Sequence, residues 1–124
     1  MASIRVLVCD DVEAFRALMR YTLPEDPSIE VVGEASDGVA AIESAAELQP
    51  DVVLLDLTMP RLDGIDAIPA LLERAPNARV VALSGWGADR MAAMALAQGA
   101  IAYVEKSEDV QAIRDAVRAA VAGG

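Results

Sequence analysis

The chain has 124 residues, which is enough for one compact domain with its own hydrophobic core. Aliphatic side chains must build most of that core, because 55% of the residues are hydrophobic and only 3% are aromatic. A formal net charge of -10 disfavours nucleic-acid binding by this chain alone, and the lack of histidine excludes histidine catalysis and histidine metal ligation.

The N-terminal segment and the single cysteine bear on the location of the protein. The segment MASIRVLVCDD lacks the long apolar core and the cleavage site of a secretory signal, and no apolar run approaches the length of a membrane span. Cys9 cannot form an internal disulfide, and its place inside an apolar run favours a buried hydrophobic side chain. We therefore expect a cytoplasmic protein without a membrane partner.

The first third of the chain predicts a strand, a helix and a second strand. Apolar runs predict strands over Ile4–Cys9 and Ile29–Ala35, and residues 12–23 between them have helical periodicity. Pro24 and Pro27 end this helix. The predicted inward face of the helix carries Phe15, Leu18, Met19 and Thr22.

The middle of the chain continues this alternation. Residues 36–38, with the sequence SDG, predict a turn and a helix cap, and the helix that follows ends before Pro50. This second helix is marked by Val39, Ile42 and Ala46. An apolar run predicts a third strand over 52–55, and a third helix follows over 65–74, with Pro69 distorting its first turns.

The last third of the chain adds two strands and two helices. Apolar runs predict strands over 79–83 and 101–104. The helix between them covers 88–98, and Gly99 is its C-terminal stop. The last helix is expected to begin near residue 107 and to end at residue 123. Its apolar face carries Val110, Ile113, Val117 and Val121.

A strand followed by a helix thus occurs five times, which predicts an α/β fold. Strands separated by helices are expected to be parallel and covered on both faces, in agreement with their continuous apolar runs. We expect a doubly wound five-stranded parallel sheet in one domain over residues 1–124, because no linker or repeat interrupts the chain. In such sheets ligands bind beyond the carboxyl ends of the strands.

Polar side chains follow four of the predicted strands. They are Asp10 and Asp11 after the first strand, Asp56 after the third, Ser84 after the fourth, and Glu105 and Lys106 after the fifth. The first and third strands should lie side by side, which brings the three aspartates together. Two unit charges about 4 Å apart repel by roughly 4 kcal/mol at an effective dielectric of about 20. Such a cluster needs a cation, and hard oxygen ligands beside an open position suit Mg²⁺.

Each of these residues also has an ordinary structural interpretation when it is taken alone. Asp11 could cap the first helix, Asp56 could be a solvated loop acid, and Ser84 could belong to a turn. Lys106 could be a surface lysine. Lys106 is, however, the only lysine in the chain, since the other nine cationic residues are arginines.

Four segments together resemble the receiver domain of two-component response regulators, and the resemblance covers essentially the whole chain. They are VLVCDD, VVLLDLTMPRLDG, VVALSGWG and AYVEK. The segments VVGEASDG and LTMPRLDGIDAI look most like receivers that precede a helix-turn-helix output domain. The resemblance implies a flavodoxin-like fold with five β/α units and the strand order 2-1-3-4-5.

The resemblance also implies a phosphorylation-dependent signalling switch with Mg²⁺ as cofactor. A sensor histidine kinase would donate the phosphoryl group, and the domain would promote its own phosphorylation and dephosphorylation without a separate turnover substrate. The implied roles are phospho-acceptor for Asp56, metal ligation for Asp10, Asp11, Asp56 and the main-chain carbonyl of Thr58, phosphoryl pairing for Lys106, switching for Ser84 and Tyr103, and control of water access for Thr58 and Trp86.

One position departs from the family pattern. The family commonly has a proline after the lysine, joined by a cis bond, whereas Ser107 follows Lys106 here. A cis bond before a non-proline residue costs roughly 2.5–4 kcal/mol. We therefore expect a trans bond at this position, and we expect Ser107 to cap the last helix.

The fourth helix is more apolar than one buried stripe requires. Its large apolar side chains are Met91, Met94 and Leu96. Either they pack inward, or they form a surface with the fifth strand and the last helix that phosphorylation alters and that contacts a second copy or an output domain. The chain stops at Gly124, so we expect either a stand-alone receiver or one cut from a longer protein, with any output domain absent from this chain.

Three other functions compete with the switch. A phosphorylation-independent interaction module of receiver shape would be marked by loss of Asp56, Lys106 or the acidic pair, and all of these are present. A hydrolase with an aspartate nucleophile would need cap elements, for which 124 residues leave no room. A flavin-binding module of similar fold would have small hydroxyl residues in its first loop, where this chain has Asp10, Asp11 and Glu13.

Overall fold

The computed structural model describes residues 3–59, 62, 64–85, 89–106 and 109–122. The strands are β1 Ile4–Cys9, β2 Ile29–Ala35, β3 Val52–Asp56, β4 Arg79–Ser84 and β5 Ala102–Glu105. The helices are α1 Glu13–Thr22, α2 Gly38–Leu48, α3 Gly64–Arg74, α4 Asp89–Gln98 and α5 Val110–Ala122. A short 3₁₀ turn, Leu23–Glu25, follows α1. No helix within the described ranges is long and apolar enough to cross a membrane.

All five strands form one parallel sheet in the order β2-β1-β3-β4-β5, so the predicted doubly wound sheet and its strand order are confirmed. Cys9 of β1 pairs with Leu55 of β3. The residues that follow this pair, Asp10 and Asp56, are therefore level with each other. Ser84 at the end of β4 is paired with the last residue of β5. The register brings the carboxyl ends of these four strands to one edge of the sheet.

Helices cover both faces of the sheet, which explains the unbroken apolar runs. Successive strand residues alternate between two clusters of buried side chains. On one face, Leu7 and Leu55 pack with side chains of α2, α3 and α4. On the other face, Val8 and Leu54 pack with side chains of α1 and α5. All residues of β3 are buried, including Asp56. Strand β3, which carries Asp56, is thus held rigidly on both sides.

Two predicted helix boundaries agree with the structure. The Asp37 side chain caps α2 by accepting a hydrogen bond from the Ala40 N–H at 2.8 Å. Gly99 follows the last residue of α4 with a φ of 123°, a left-handed conformation that glycine adopts without strain. Pro69 lies inside α3, as predicted.

The predicted start of the last helix is wrong. Helix α5 begins at Val110, and the N–H of Ala112 donates to the Asp109 side chain at 2.9 Å. Asp109 therefore occupies the N-cap, instead of Ser107. An aspartate is as good an N-cap as serine, and Asp109 stands directly before the first apolar residue of the helix.

The predicted inward face of α1 is only partly correct. Met19 is fully buried and Phe15 packs against the core, but Leu18 exposes 46% of its surface. Leu18 precedes Met19 and is turned by about 100° around the helix axis, which takes it out of the narrow stripe that meets the sheet.

The buried side of α2 consists of small residues. Val39, Ile42 and Ala46 are half-buried, and the fully buried positions are Gly38, Ala41 and Ala45. Small side chains let this helix approach its neighbours closely. A Cβ at Gly38 would lie only 2.1 Å from the main-chain oxygen of Leu62. The inward side of α2 therefore carries small residues, because the helix lies very close to its neighbours.

Gly64 at the start of α3 lies against the main chain of Asp56. A Cβ at this position would lie 2.2 Å from the Asp56 carbonyl oxygen. Gly64→Ala must therefore push α3 away from the end of β3, and we expect a loss of about 1–3 kcal/mol in unfolding free energy, the usual cost of overpacking. Denaturant unfolding measures this loss. Gly85→Ala is the matched control, because nothing lies within 4 Å of its added Cβ. Equal unfolding free energies for the two variants would contradict the close contact.

Candidate functional site

Three carboxylates meet at the carboxyl edge of the sheet. Asp10 directly follows β1 and is completely buried, Asp56 ends β3 with 5% of its surface exposed, and Asp11 is exposed in the loop after β1. One carboxylate oxygen from each residue lies within 4.8 Å of the other two. The structure thus brings together the three acids that the strand pattern placed at one edge.

The only lysine of the chain enters this cluster from the end of β5. The Lys106 ammonium lies 2.6 Å from Oδ2 of Asp10 and 3.5 Å from Oδ2 of Asp56. The main-chain N–H of Lys106 donates to the main-chain oxygen of Ser84 at 2.8 Å, which holds the lysine next to the end of β4. Lys106 is therefore part of the site, and its interpretation as an ordinary surface lysine is wrong.

Main-chain donors orient the two buried carboxylates. The N–H of Val12 donates to Oδ1 of Asp10 at 2.8 Å, and the N–H of Thr58 donates to Oδ1 of Asp56 at 3.1 Å. In each case the aspartate side chain bonds to the main-chain N–H two residues later, which is an Asx turn. The Oδ1 atoms are used in these bonds, and the Oδ2 atoms lie near Lys106. Asp11 does not cap the first helix, because the N-cap position of α1 is Val12 and the Val12 N–H donates to Asp10.

Arg16 on α1 supports the loop that carries Asp10, a role that the sequence analysis missed. Its guanidinium donates to the main-chain oxygen of Asp10 at 2.7 Å, to Glu34 of β2 at 3.3 Å and to Glu13 at 2.8 Å. Only 14% of the Arg16 side chain is exposed. The spacing of Glu13 and Arg16, three residues apart on a helix, was the available sequence signal, but nothing in the pattern links either residue to β1.

The pKa of the Asp56 carboxyl is raised, mainly by burial. The negative charges of Asp10 and Asp11 raise this pKa further, whereas the hydrogen bond from the Thr58 N–H and the charge of Lys106 lower it. Burial lowers the pKa of the Lys106 ammonium, but Asp10 and Asp56 outweigh it, so that the net shift is upward. The lysine therefore remains charged. Its single positive charge faces three carboxylates, which leaves the cluster with excess negative charge.

Burial also raises the pKa of the Cys9 thiol, so this residue is an unreactive hydrophobic side chain, as predicted.

The remaining predicted site residues lie around the cluster. Ser84 is buried, and its hydroxyl donates to the Gly85 oxygen at 3.3 Å. The Tyr103 hydroxyl is buried and has no hydrogen-bond partner among the described residues. Thr58 is exposed next to Asp56. Trp86 and Ser107 lie outside the described residues, so the predicted water gate at Trp86 and the trans bond before Ser107 stay predictions.

The donor set fits a hard divalent cation. Carboxylate oxygens are the ligands that Mg²⁺ prefers. The Asp11 carboxylate is exposed, so an ion bound here would face solvent and keep some of its water molecules. Oδ2 of Asp10 is buried, and the Lys106 ammonium lies 2.6 Å from it. One ammonium beside three carboxylates leaves negative charge that a divalent cation would offset.

Comparisons with known proteins agree with this geometry. The family model of the response regulator receiver domain matches residues 6–118. The transcriptional regulatory protein LiaR of Bacillus subtilis is 38% identical over 120 residues, which are 97% of this chain and 57% of LiaR. A protein-glutamate methylesterase/protein-glutamine glutaminase of Myxococcus xanthus is 45% identical over 107 residues, which are 86% of this chain and 31% of that protein.

A solved structure extends the similarity to three dimensions. The crystal structure of the response regulator domain of Thermotoga maritima CheB superposes with a TM-score of 0.88 at 32% identity, and the match covers 97% of each chain. The chain thus spans 57% and 31% of the two curated relatives but nearly all of this solved domain. The similarity to the methylesterase concerns the receiver part of that protein.

The raised pKa of Asp56 makes its ionised form less favourable in the folded protein than in the unfolded chain. The stability that this carboxyl contributes is complete below its ordinary pKa of 3.8 and is lost as the pH rises through the raised folded value. Asp56→Asn removes this loss. Without divalent cations at about pH 7, we expect the variant to be more stable by about 1 kcal/mol, or about 4 °C in Tm.

Melting curves at several pH values test this expectation. The difference between wild type and Asp56→Asn should shrink as the pH falls and should vanish below 3.8, where the wild-type carboxyl is neutral in both states. A variant that melts below wild type at neutral pH would show that the contact with Lys106 outweighs burial and the neighbouring carboxylates.

Proposed function

The chain belongs to the response regulator receiver domain family, whose members are phosphorylation-dependent signalling switches, and on that premise we propose that Asp56 is its phosphoryl acceptor. The observation that carries the proposal is the placement of Asp56, which ends a fully buried strand between two further carboxylates and the only lysine. Such rigid support aims a carboxylate nucleophile in a fixed direction.

The transfer forms one bond and breaks one. A carboxylate oxygen of Asp56 bonds to phosphorus, and the bond between phosphorus and the donor breaks, with the electron pair leaving on the donor. The Lys106 ammonium, already near Asp56, pairs with a phosphoryl oxygen, and the Ser84 hydroxyl bonds a second one. Asp10, Asp11, Asp56 and the main-chain carbonyl of Thr58 would hold Mg²⁺, which neutralises charge on the transferred group when it is bound.

We infer the donor and the output from the family. Receiver domains of response regulators interact with histidine kinases and with output domains, and this chain has no histidine of its own to carry a phosphoryl group. A sensor histidine kinase is therefore the proposed donor, and a cytoplasmic location follows as part of the same proposal. Because LiaR is a transcriptional regulatory protein of which the chain spans 57%, the proposed output is a helix-turn-helix domain beyond the receiver.

The proposed output surface consists of α4, β5 and α5. Met94 and Leu96 of α4 are exposed, so the apolar excess of the fourth helix does not pack inward at these two positions, and Ile101, directly before β5, is also exposed. Ser84 would move towards the phosphoryl group, and Tyr103, whose buried hydroxyl has no hydrogen-bond partner among the described residues, would move with it. The Ser84 hydroxyl makes only a long hydrogen bond of 3.3 Å to the Gly85 main-chain oxygen among the described residues, which supports a two-state coupling. A second copy or an output domain would read the change.

Intact-mass measurement tests the acceptor directly. With acetyl phosphate and Mg²⁺, wild type is expected to gain one phosphoryl group that is lost in acid, because an aspartyl phosphate is labile. Asp56→Asn is expected to gain none, and Asp66→Asn, with an exposed aspartate on α3, is the matched control and is expected to label like wild type. Undiminished labelling of Asp56→Asn would place the acceptor elsewhere, whereas an unlabelled wild type would favour the phosphorylation-independent interaction module.

Amide hydrogen exchange tests the output surface. Beryllofluoride bound at Asp56 mimics the phosphoryl group, and we expect it to change exchange over residues 84–106, because Ser84 and Tyr103 connect the site to α4 and β5. Asp56→Asn treated in the same way controls for unspecific effects. A response confined to residues 56–64 would contradict the proposed coupling.

Thr58 and Trp86 are the proposed gate for the water that hydrolyses the aspartyl phosphate. A bulky indole near the phosphoryl group would exclude water, and a tenfold change in rate corresponds to only about 1.4 kcal/mol of barrier. Trp86→Ala is therefore expected to shorten the lifetime of the phosphorylated protein, followed by mass, without lowering initial labelling. A variant that keeps both the wild-type Tm and the wild-type lifetime would show that Trp86 has no such role.

A further inference from the structure

The only phenylalanine of the chain lies against its only lysine. The Lys106 ammonium is 4.7 Å from the centroid of the Phe15 ring, within the distance of a cation–π contact. Phe15 is on α1 and packs against the cluster of buried side chains that includes residues of α5. Lys106 follows β5, so this contact joins two elements that are distant in the sequence.

Among the described residues the ammonium has three partners, and they differ in what else can bind them. Asp10 and Asp56 each present a carboxylate oxygen to it, at 2.6 and 3.5 Å. Those oxygens belong to the set that would ligate a divalent cation, and Asp56 would carry the phosphoryl group. The face of an aromatic ring binds neither a hard cation nor a phosphoryl oxygen in preference to water. The ring contact is therefore the one of the three that persists when the carboxylates are engaged.

We propose that Phe15 is a positioning residue, which holds the Lys106 ammonium beside the acceptor carboxylate when metal and phosphoryl group occupy its other partners. This inference rests on the proposed role of Asp56. Only 22% of the Lys106 side chain is exposed, so the contact is largely screened from water and lies in the stronger part of the range for such contacts. Without the ring, the ammonium spends less time in reach of the phosphoryl group.

A purely structural role for Phe15 makes different predictions, because the residue also packs against the core. In that case any effect of a substitution follows the loss of stability, and the electronic character of the ring is irrelevant. In a cation–π contact the negative face of the ring attracts the charge, and fluorine on the ring weakens that face with little change of shape. The two roles are therefore separable at one position.

The composition of the chain makes this experiment specific. Because Phe15 is the only phenylalanine, growth of a phenylalanine auxotroph on mono-, di- or trifluorophenylalanine replaces this ring alone. We expect the rate of phosphorylation by acetyl phosphate with Mg²⁺ to fall stepwise with fluorine content, by about threefold to about thirtyfold in all, the equivalent of roughly 0.7–2 kcal/mol. Tm is expected to stay within a few degrees of wild type. Phe15→Tyr should retain most of the rate and Phe15→Leu should lose it.

A spectroscopic measurement provides a readout that does not depend on phosphorylation. Carbon-13 lysine labels only Lys106, and a ring at this distance shifts the ε-methylene proton signal upfield. The shift should persist with saturating Mg²⁺ in wild type and disappear in Phe15→Leu.

Three results would overturn the proposal. The first is a phosphorylation rate that is independent of fluorine content. The second is a rate that falls only in proportion to Tm, which would make Phe15 a packing residue. The third is loss of the upfield shift when Mg²⁺ binds. Undiminished labelling of Asp56→Asn would instead overturn the acceptor assignment, so failure of that assignment is distinguishable from failure of the role of Phe15.

Discussion

Repulsion among Asp10, Asp11 and Asp56 is the interaction on which the site depends. One oxygen of each carboxylate lies within 4.8 Å of the others, and a single ammonium offsets part of their charge. At such distances each unneutralised pair costs on the order of a few kcal/mol. A fold built for stability alone would place apolar side chains at the ends of β1 and β3. A divalent cation bound at the cluster would offset this repulsion.

The fold keeps these charges close because the strands, the helix and the arginine side chain that hold the aspartates are themselves tightly packed or hydrogen-bonded. The strands β1 and β3 are paired and buried on both faces, and their register makes Asp10 and Asp56 level. Gly64 allows α3 to press against the carbonyl of Asp56, and Arg16 ties the carbonyl of Asp10 to β2. Elements on both faces of the sheet thus hold one small cluster. The ends of β4 and β5 adjoin the cluster, because Lys106 donates to Ser84 and contacts Asp10 and Asp56.

The sequence predicted whatever depends on local periodicity and on the rules for parallel sheets. The parallel sheet and the residues at the strand ends follow from apolar runs separated by helices, and so does the meeting of the three aspartates, whereas the strand order was implied by the family resemblance. The contacts of Arg16 and of Phe15 could not be predicted, because they join α1 to β1, β2 and the end of β5 through side-chain directions that periodicity does not encode. The cap of α5 was wrong because serine and aspartate compete for the same role within three residues.

The central claim is that the carboxylates are crowded in order to bind a divalent cation, and linkage between Mg²⁺ and stability tests it most directly. Free energies of unfolding, measured with and without Mg²⁺ at about 100 times its dissociation constant, should rise by roughly 2.7 kcal/mol for wild type. Asp11→Ala removes one exposed ligand without disturbing the core, and at the same Mg²⁺ concentration it should gain clearly less. An equal gain for the two proteins would contradict the account.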